Sequence, residues 1–280
     1  MRTILRSRSA EVVIGPDQPF VLIGERINPT GRKTLADEIL AGNLDRVRRD
    51  AAAQVEAGAA MLDVNAGIGG ADESHLLPML VREIQNFVDI PLSIDSSVSA
   101  ALTATLPVCE GKPLVNSVTG EEERLEAILP LVAKHEAAVI GLSHDENGIS
   151  MDPAERLRIA RLIVQRAVDH GIPQEDVIID PLVMSVGAAP ESASVALETI
   201  RLVRTTLGNN LTVGASNVSF GLPGRAHLNA AFLAMAMAAG LTSAIANPLV
   251  EQVRTSILGS DVLLGRDRFA RAWIKAHRDN

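Results

Sequence analysis

Residues 59–97, AAMLDVNAGIGGADESHLLPMLVREIQNFVDIPLSIDSS, contain one complete copy of the unit that decides the fold. The run at 59–67 is apolar except for Asp63 and Asn65, which come near its end. Residues 72–88 place apolar side chains at helical spacing, and a second apolar run at 91–97 leads to Asp95. Parallel strands need a crossover of this length, usually a helix. The stretch therefore predicts two parallel strands joined by a helix, each ending on polar side chains.

The same unit recurs along the whole chain. Predicted strands lie at 20–27, 59–67, 91–97, 113–120, 137–144, 176–183, 211–217 and 243–247. Predicted helices lie at 44–57, 72–88, 98–107, 121–135, 153–170, 192–207, 228–240 and 249–277. Eight strands alternating with eight helices indicate an α/β fold with a parallel sheet, and their number fits a (β/α)8 TIM barrel. An open doubly wound sheet is the alternative.

The chain shows no low-complexity segment or linker, so we expect residues 1–280 to form a single domain. Residues 1–19 precede the first repeat unit and contain an apolar stretch at 11–14 followed by a GPDQP turn. They predict a hairpin that plugs the bottom of the barrel.

The composition limits the function. Hydrophobic residues make up 47% of the chain, but aromatic residues only 2%, so the core must be aliphatic, as in parallel sheets buried on both faces. Few aromatic rings and a net charge of -8 argue against a nucleic-acid partner. The single cysteine, Cys109, excludes an internal disulfide and a cysteine-based metal site.

Two segments bear on localisation. The first residues, MRTILRSRSAEVVIG, lack the long apolar segment of a secretory signal. Residues 228–250 carry no charge and are long enough to span a bilayer, but Asn229, Asn247 and Pro248 interrupt them. We interpret them as a buried helix, a turn and a strand, and expect a cytoplasmic protein without membrane association.

Polar side chains end all eight predicted strands. They are Glu25, Asn28, Asp63, Asn65, Asp95, Asn116, Ser143, His144, Asp180, Ser216, Asn217 and Asn247. In a barrel these ends converge on one mouth, where the active sites of such barrels lie. Asp63, Asp95 and Asp180 could together bind a divalent cation through oxygen. The interleaved amides better suit an organic ring with N–H donors and a carbonyl acceptor, such as a pterin, so we expect no metal. Capping of the following helices is the structural alternative.

Several motifs together resemble one known family. They are GERINPTG (24–31), LDVNAG (62–67), IDSS (94–97), VNSVTG (115–120), IDPL (179–182), SNVSFG (216–221) and FLAMAMAAG (232–240). In this order and spacing they resemble the pterin-binding methyltransferases. The similarity extends to the methyltetrahydrofolate:corrinoid protein methyltransferases and to the folate domain of cobalamin-dependent methionine synthase. It covers about residues 20–265 and implies a TIM barrel of the pterin-binding type.

The resemblance also implies roles for individual residues. Asp95, Asn116 and Asp180 match residues that hydrogen-bond the pterin ring. Asn217 matches the catalytic amide that reaches N5, the nitrogen that carries the methyl group. The substrate-binding set is completed by Asp63 and Asn65, in a matching motif, and by Arg225, which helps to position the pterin or the loop. Phe220 stands where stand-alone corrinoid methyltransferases often have glutamine.

The activity implied by the resemblance is methyl transfer between N5 of tetrahydrofolate and the cobalt of a corrinoid. The substrates would be 5-methyltetrahydrofolate or tetrahydrofolate and a cobalamin-type corrinoid. The chain contains no Asp-x-His-x-x-Gly corrinoid-ligand motif, so we expect the corrinoid to arrive on a separate partner protein. The resemblance further implies a homodimer. The alternatives are a dihydropteroate synthase-like enzyme and a non-catalytic folate-binding protein.

Overall fold

The computed structural model describes residues 1–278. The strands are β1 Thr3–Arg6, β2 Glu11–Ile14, β3 Val21–Ile27, β4 Met61–Asn65, β5 Leu92–Asp95, β6 Leu114–Thr119, β7 Ala138–Leu142, β8 Val177–Asp180 and β9 Ser243–Ala246. The α-helices are α1 Lys33–Leu40, α2 Asp45–Glu56, α3 Glu73–Phe87, α4 Ser99–Thr105, α5 Glu122–Lys134, α6 Pro153–Asp169, α7 Ser192–Thr206, α8 Arg225–Ala239, α9 Glu251–Leu263 and α10 Arg271–His277. Strands and helices alternate from β3 to α9, as the repeat unit predicts, except that two helices, α1 and α2, follow β3 and that α7 and α8 both lie between β8 and β9.

Seven parallel strands form a curled sheet in the order β8-β7-β6-β5-β4-β3-β9. Residues 211–214 lie between the two edge strands and bridge both, through Ile179 with Leu211 and Gly214 with Ile245. The backbone N–H of Thr212 donates to Ile179 at 3.0 Å, and the N–H of Ile245 donates to Val213 at 2.9 Å. The segment therefore closes the sheet, and the predicted barrel is confirmed.

The seventh predicted strand, 211–217, is shorter than expected. The sheet-like pairing ends at Gly214, and the next residues form a 3-10 helix, Ala215–Ser219. Asn217 therefore lies on a tight turn, not at the end of a strand. The apolar run at 211–215 predicted a strand because burial alone does not distinguish an extended segment from a buried turn.

Two layers of buried side chains hold the barrel together. The larger lies between the sheet and the surrounding helices, and the smaller fills the inside of the barrel. The inner layer includes Leu5 and Ile14 from the antiparallel β1–β2 hairpin, both fully buried. The side-chain amide of Asn210 donates to the Ile14 carbonyl at 2.9 Å and so attaches the hairpin to the barrel wall.

Two helices begin at capping residues that the sequence indicates. Asp72 and Asp152 accept hydrogen bonds from the N–H groups of Ser74 and Ala154 and begin α3 and α6. The short helix α1 was not predicted. The single helix expected at 249–277 is wrong: α9 ends at Leu263, and α10 follows a 3-10 turn in which Phe269 has a φ of 62°.

Within residues 1–278, we find no helix that combines the length and the apolar character needed to cross a membrane.

Candidate active site

The carboxyl ends of the strands surround a cleft of about 420 Å³ at one mouth of the barrel. Its walls are made of Glu25, Arg26, Asn28, Thr30, Asp63, Asp95, Asn116, Leu142, Asp180, Leu182, Gly214, Ser216, Asn217 and Ile245. Five of the seven predicted site residues are in this set. Asn65 and Arg225 lie just behind it.

Asp63 forms the buried floor of the cleft. One of its carboxylate oxygens accepts hydrogen bonds from Ser93 Oγ at 2.7 Å and from Asn116 Nδ2 at 3.1 Å. Burial, reinforced by the neighbouring charge of Asp95, raises the pKa of Asp63 well above its usual range. Asp63 thus fixes the orientation of the Asn116 amide, whose carbonyl oxygen can then accept a hydrogen bond.

Asp95 ends β5 and is held from the side by Asn65. The amide nitrogen of Asn65 donates to Asp95 Oδ2 at 3.0 Å, and Asn65 Oδ1 accepts from the N–H of Gly67 at 2.8 Å. Burial raises the pKa of Asp95 to about 6. Both ends of the Asn65 amide are occupied, so this residue positions Asp95 from outside the cleft.

Asp180 ends β8 on the other side of the cleft and is 8% exposed. Its Oδ1 accepts the N–H of Leu182 at 2.7 Å. Burial raises the pKa of Asp180 to about 7, while hydrogen bonds from the backbone of Leu182 and Gly214 act in the opposite direction. The carboxyl group therefore changes its charge near neutral pH, where it can bind N–H donors or release a proton.

The 3-10 helix Ala215–Ser219 carries Asn217 over the cleft. The N–H of Asn217 donates to the Gly214 carbonyl at 3.1 Å and closes the turn. A Cβ atom at Gly214 would lie 2.9 Å from Asn217 Nδ2, so glycine at 214 leaves the space that the amide occupies. The close approach of Asn217 Nδ2 to Gly214 therefore fixes the direction of the Asn217 side-chain amide.

Glu25 and Ser216 were noted in the sequence only as polar strand ends, but they lie inside the cleft. Ser216 Oγ donates to both carboxylate oxygens of Glu25, at 2.9 and 3.0 Å. Burial raises the pKa of Glu25, and the Ser216 hydrogen bond opposes that shift. Both residues follow the pattern of polar side chains at the strand ends, but the sequence does not indicate that Glu25 and Ser216 contact each other.

Arg225 lies at the start of α8 and is exposed. Its guanidinium donates to the Ser216 carbonyl at 2.8 Å and to Ser219 Oγ at 3.1 Å. Its central carbon also lies 5.9 Å from the centre of the Phe220 ring. Arg225 therefore braces the turn that carries Asn217 and is one step removed from the cleft.

The cleft offers carboxyl groups on two sides and amides between them. This pattern suits a flat heterocycle that has N–H donors along one edge and a carbonyl acceptor. Across residues 1–278, no group of three or more His, Cys, Asp or Glu side chains is arranged to hold a metal ion.

Comparison with known proteins agrees with this pattern. A family model described as pterin binding enzyme matches residues 24–247. The methylcorrinoid:tetrahydrofolate methyltransferase of Eubacterium limosum is 32% identical over 267 residues, covering 92% of this chain and 96% of that protein. The methionine synthase of Mycobacterium tuberculosis is 32% identical over 242 residues, covering 82% of this chain but only 20% of that protein.

Solved structures share the fold at lower sequence identity. The dihydropteroate synthase of Yersinia pestis superposes with a TM-score of 0.71 and 17% identity, over 94% of this chain and 98% of that one. The enzyme of Xanthomonas albilineans gives a TM-score of 0.68 at 17% identity, over 94% and 98% of the two chains. The family model and the relatives confirm the resemblance drawn from the motifs, and the chain belongs to the family of pterin-binding enzymes.

Proposed function

We propose that this protein transfers a methyl group between N5 of tetrahydrofolate and the cobalt of a corrinoid. The observation that carries the proposal is the gathering of Asp95, Asn116, Asp180 and Asn217 around one cleft. The matched length of the Eubacterium limosum relative, whose name gives this reaction, supports the assignment to this chain. The same correspondence supports a corrinoid delivered by a separate partner protein.

The residues divide into two functional groups. Asp95, Asn116 and Asp180 hold the edge of the pterin ring, with Asp63 and Asn65 fixing the direction of the first two. Asn217 reaches the N5 side of the ring from the 3-10 turn, which Arg225 braces. The cleft therefore orients the N5–methyl bond toward the open mouth, where a corrinoid on another protein can approach.

In the forward reaction, cobalt(I) attacks the methyl carbon while the carbon–N5 bond breaks and its electron pair stays on N5. N5 gains a proton in the course of the transfer. A hydrogen bond from Asn217 stabilises the charge that develops at N5. Such fixed dipoles act strongly once the docked corrinoid protein covers the mouth and excludes water. The reverse reaction, from methyl-corrinoid to tetrahydrofolate, uses the same contacts.

We also propose that the protein is cytoplasmic and forms a homodimer. The support for the dimer is the outer face of α8, where Ala231, Met235 and Ala238 are exposed and no charged residue follows Arg225 before the helix ends. Met235 is 57% exposed. Sedimentation velocity on the wild type and on Met235→Glu tests this: a dimer that the variant dissociates supports the proposal, and a wild-type monomer contradicts it.

Anaerobic mixing with 5-methyltetrahydrofolate and cob(I)alamin tests the activity, with methylcobalamin formation followed by absorbance. We expect conversion by the wild type and by Asn86→Ala, an exposed control on α3. Asn217→Ala should lose about a hundred- to a thousandfold in turnover. Folate binding without turnover, even with methyl-corrinoid partner proteins, would instead indicate a binding protein. Turnover of a pterin pyrophosphate with p-aminobenzoate would indicate a dihydropteroate synthase.

A further inference from the structure

Arg156, in the first turn of α6, is the largest fully buried side chain of the described residues. Its guanidinium hydrogen-bonds backbone carbonyl groups: Nε donates to Ser150 at 2.6 Å, and Nη1 donates to Pro181 at 2.7 Å and to Leu182 at 2.6 Å. A buried charge needs such partners because burial removes its hydration. Burial lowers the pKa of Arg156, and the nearby Asp180 charge acts against that shift.

The two carbonyl groups that share Nη1 flank a strained residue. Leu182 has a φ of 62°, in the left-handed region that residues with a branched side chain rarely adopt. The N–H of Leu182 donates to Asp180 Oδ1 at 2.7 Å. This N–H and the Pro181 carbonyl belong to one planar peptide group, which Arg156 holds through the carbonyl. If Leu182 relaxed while the rest of the loop stayed in place, this peptide group would turn and carry the N–H away from the carboxylate.

We propose that Arg156 is a positioning residue that clamps Leu182 in its left-handed conformation and thereby aims the Asp180 carboxylate into the cleft. The clamp runs from α6 through two carbonyl groups to the loop after β8. It rests on the proposed function, since the consequence of a misaimed Asp180 is weaker pterin binding. Because Arg156 lies behind Asp180 and outside the cleft, it touches no substrate.

The same guanidinium also joins two loops of the mouth. Nε holds the Ser150 carbonyl in the loop after β7, while Nη1 holds the loop after β8. A lysine at 156 would keep the charge but could not reach both loops with one ammonium group. Arg156→Lys therefore separates the charge of the residue from its geometry.

A double-mutant cycle with Leu182→Gly tests the clamp. Glycine adopts a positive φ without the steric cost that leucine bears, so it needs no clamp. The dissociation constant for 5-methyltetrahydrofolate is measured for the wild type, Arg156→Lys, Leu182→Gly and the double variant. Arg161→Lys, exposed on the same helix, is the matched control.

We expect Arg156→Lys to weaken folate binding about tenfold, with the turnover number at saturating folate nearly unchanged. In the Leu182→Gly background the same substitution should cost less than about threefold. An equal loss in both backgrounds, or no loss in the first, would overturn the clamp. A wild type that does not bind the folate would refute the proposed function instead.

Thermal unfolding shows whether each variant folds. If Arg156→Lys fails to fold but Arg156→Lys/Leu182→Gly folds, the rescue supports the clamp directly. If neither variant folds, Arg156 serves the stability of α6 as a whole and the proposal is overturned.

Discussion

The hydroxyl of Ser216 lies within 3.0 Å of both carboxylate oxygens of Glu25 and joins the first barrel strand to the turn that carries Asn217. The two residues are 191 positions apart in the sequence. Because Ser216 directly precedes Asn217, this hydrogen bond sets the height of the turn above the cleft.

We expect Ser216→Ala to lower the turnover number about tenfold, because the hydrogen bond that ties the turn to the half-buried Glu25 carboxylate is lost and the turn loosens. The midpoint of thermal unfolding should change little, since Glu25 faces the open cleft. Steady-state kinetics with 5-methyltetrahydrofolate measure the effect, and Ser194→Ala on the exposed face of α7 is the control. An unchanged turnover number for Ser216→Ala would show that Asn217 does not depend on this contact.

Asn65 provides a second prediction, for substrate affinity. Removal of its amide in Asn65→Ala leaves Asp95 Oδ2 without its side-chain donor, and we expect the dissociation constant for the folate to rise about tenfold. Asn65→Asp should weaken binding further, because it puts another carboxylate beside Asp95, in addition to Asp63. Calorimetric titration measures both. Binding equal to that of the wild type in both variants would remove Asn65 from the site.

Asp180 predicts a pH dependence of folding. Its pKa is about 7 in the folded protein against 3.8 for an aspartate side chain exposed to water, so the folded state holds the proton more tightly. The penalty for the buried charge is absent below about pH 4, grows as the pH rises and is fully present above about pH 7. We therefore expect Asp180→Asn to raise the free energy of unfolding at pH 8 more than at pH 4.5, as measured by urea denaturation. Asp37→Asn, on the exposed face of α1, is the matched control.

The raised pKa of Asp180 also predicts that folate binding depends on pH. Hydrogen bonds from pterin N–H groups favour the ionised carboxylate, so binding should release a proton from Asp180 below about pH 7. Titration calorimetry at pH 6.5 in two buffers of different ionisation enthalpy measures that proton. The release should shrink in Asp180→Asn. An equal release in the variant would assign the proton to Asp95, whose pKa is about 6, or to another group.

The alternation of apolar runs and helical spacing was sufficient to predict the barrel, because that pattern records burial on both faces of the strands. The polar residues after the strands also indicated the mouth. What the pattern could not show is which side chains stand in the cleft and which stand behind it. Asn65 ends β4, but its amide contacts Asp95 from outside the cleft. Arg225 begins α8 and contacts the turn that carries Asn217.

The role of Arg156 could not be predicted from the sequence for a similar reason. An arginine in the first turn of an amphipathic helix ordinarily faces solvent, and its sequence neighbours give no sign of the carbonyl groups it binds from the β8 loop. The sequence also did not predict that the strand-like segment 211–214 ends at Gly214. The chain leaves the sheet at Gly214, and the tight turn that follows has the same apolar and small residues that a strand end would have.

Gly214→Ala is the sharpest test of how Asn217 is placed. The backbone at Gly214 has a φ of -71°, which alanine adopts freely, so the substitution adds only one methyl group. That methyl would lie 2.9 Å from Asn217 Nδ2, and the amide would have to move away. The Asn217 side chain can rotate away with little loss of folding free energy, so the midpoint of thermal unfolding should stay close to that of the wild type.

The turnover number, in contrast, should fall toward that of Asn217→Ala, a loss of about a hundredfold, because the donor no longer meets N5. The dissociation constant for the folate should change less than about threefold, since Asp95, Asn116 and Asp180 keep their places. Gly69→Ala is the control, because a Cβ there meets no atom within 4 Å. Full activity in Gly214→Ala would mean that the position of the Asn217 amide does not limit methyl transfer.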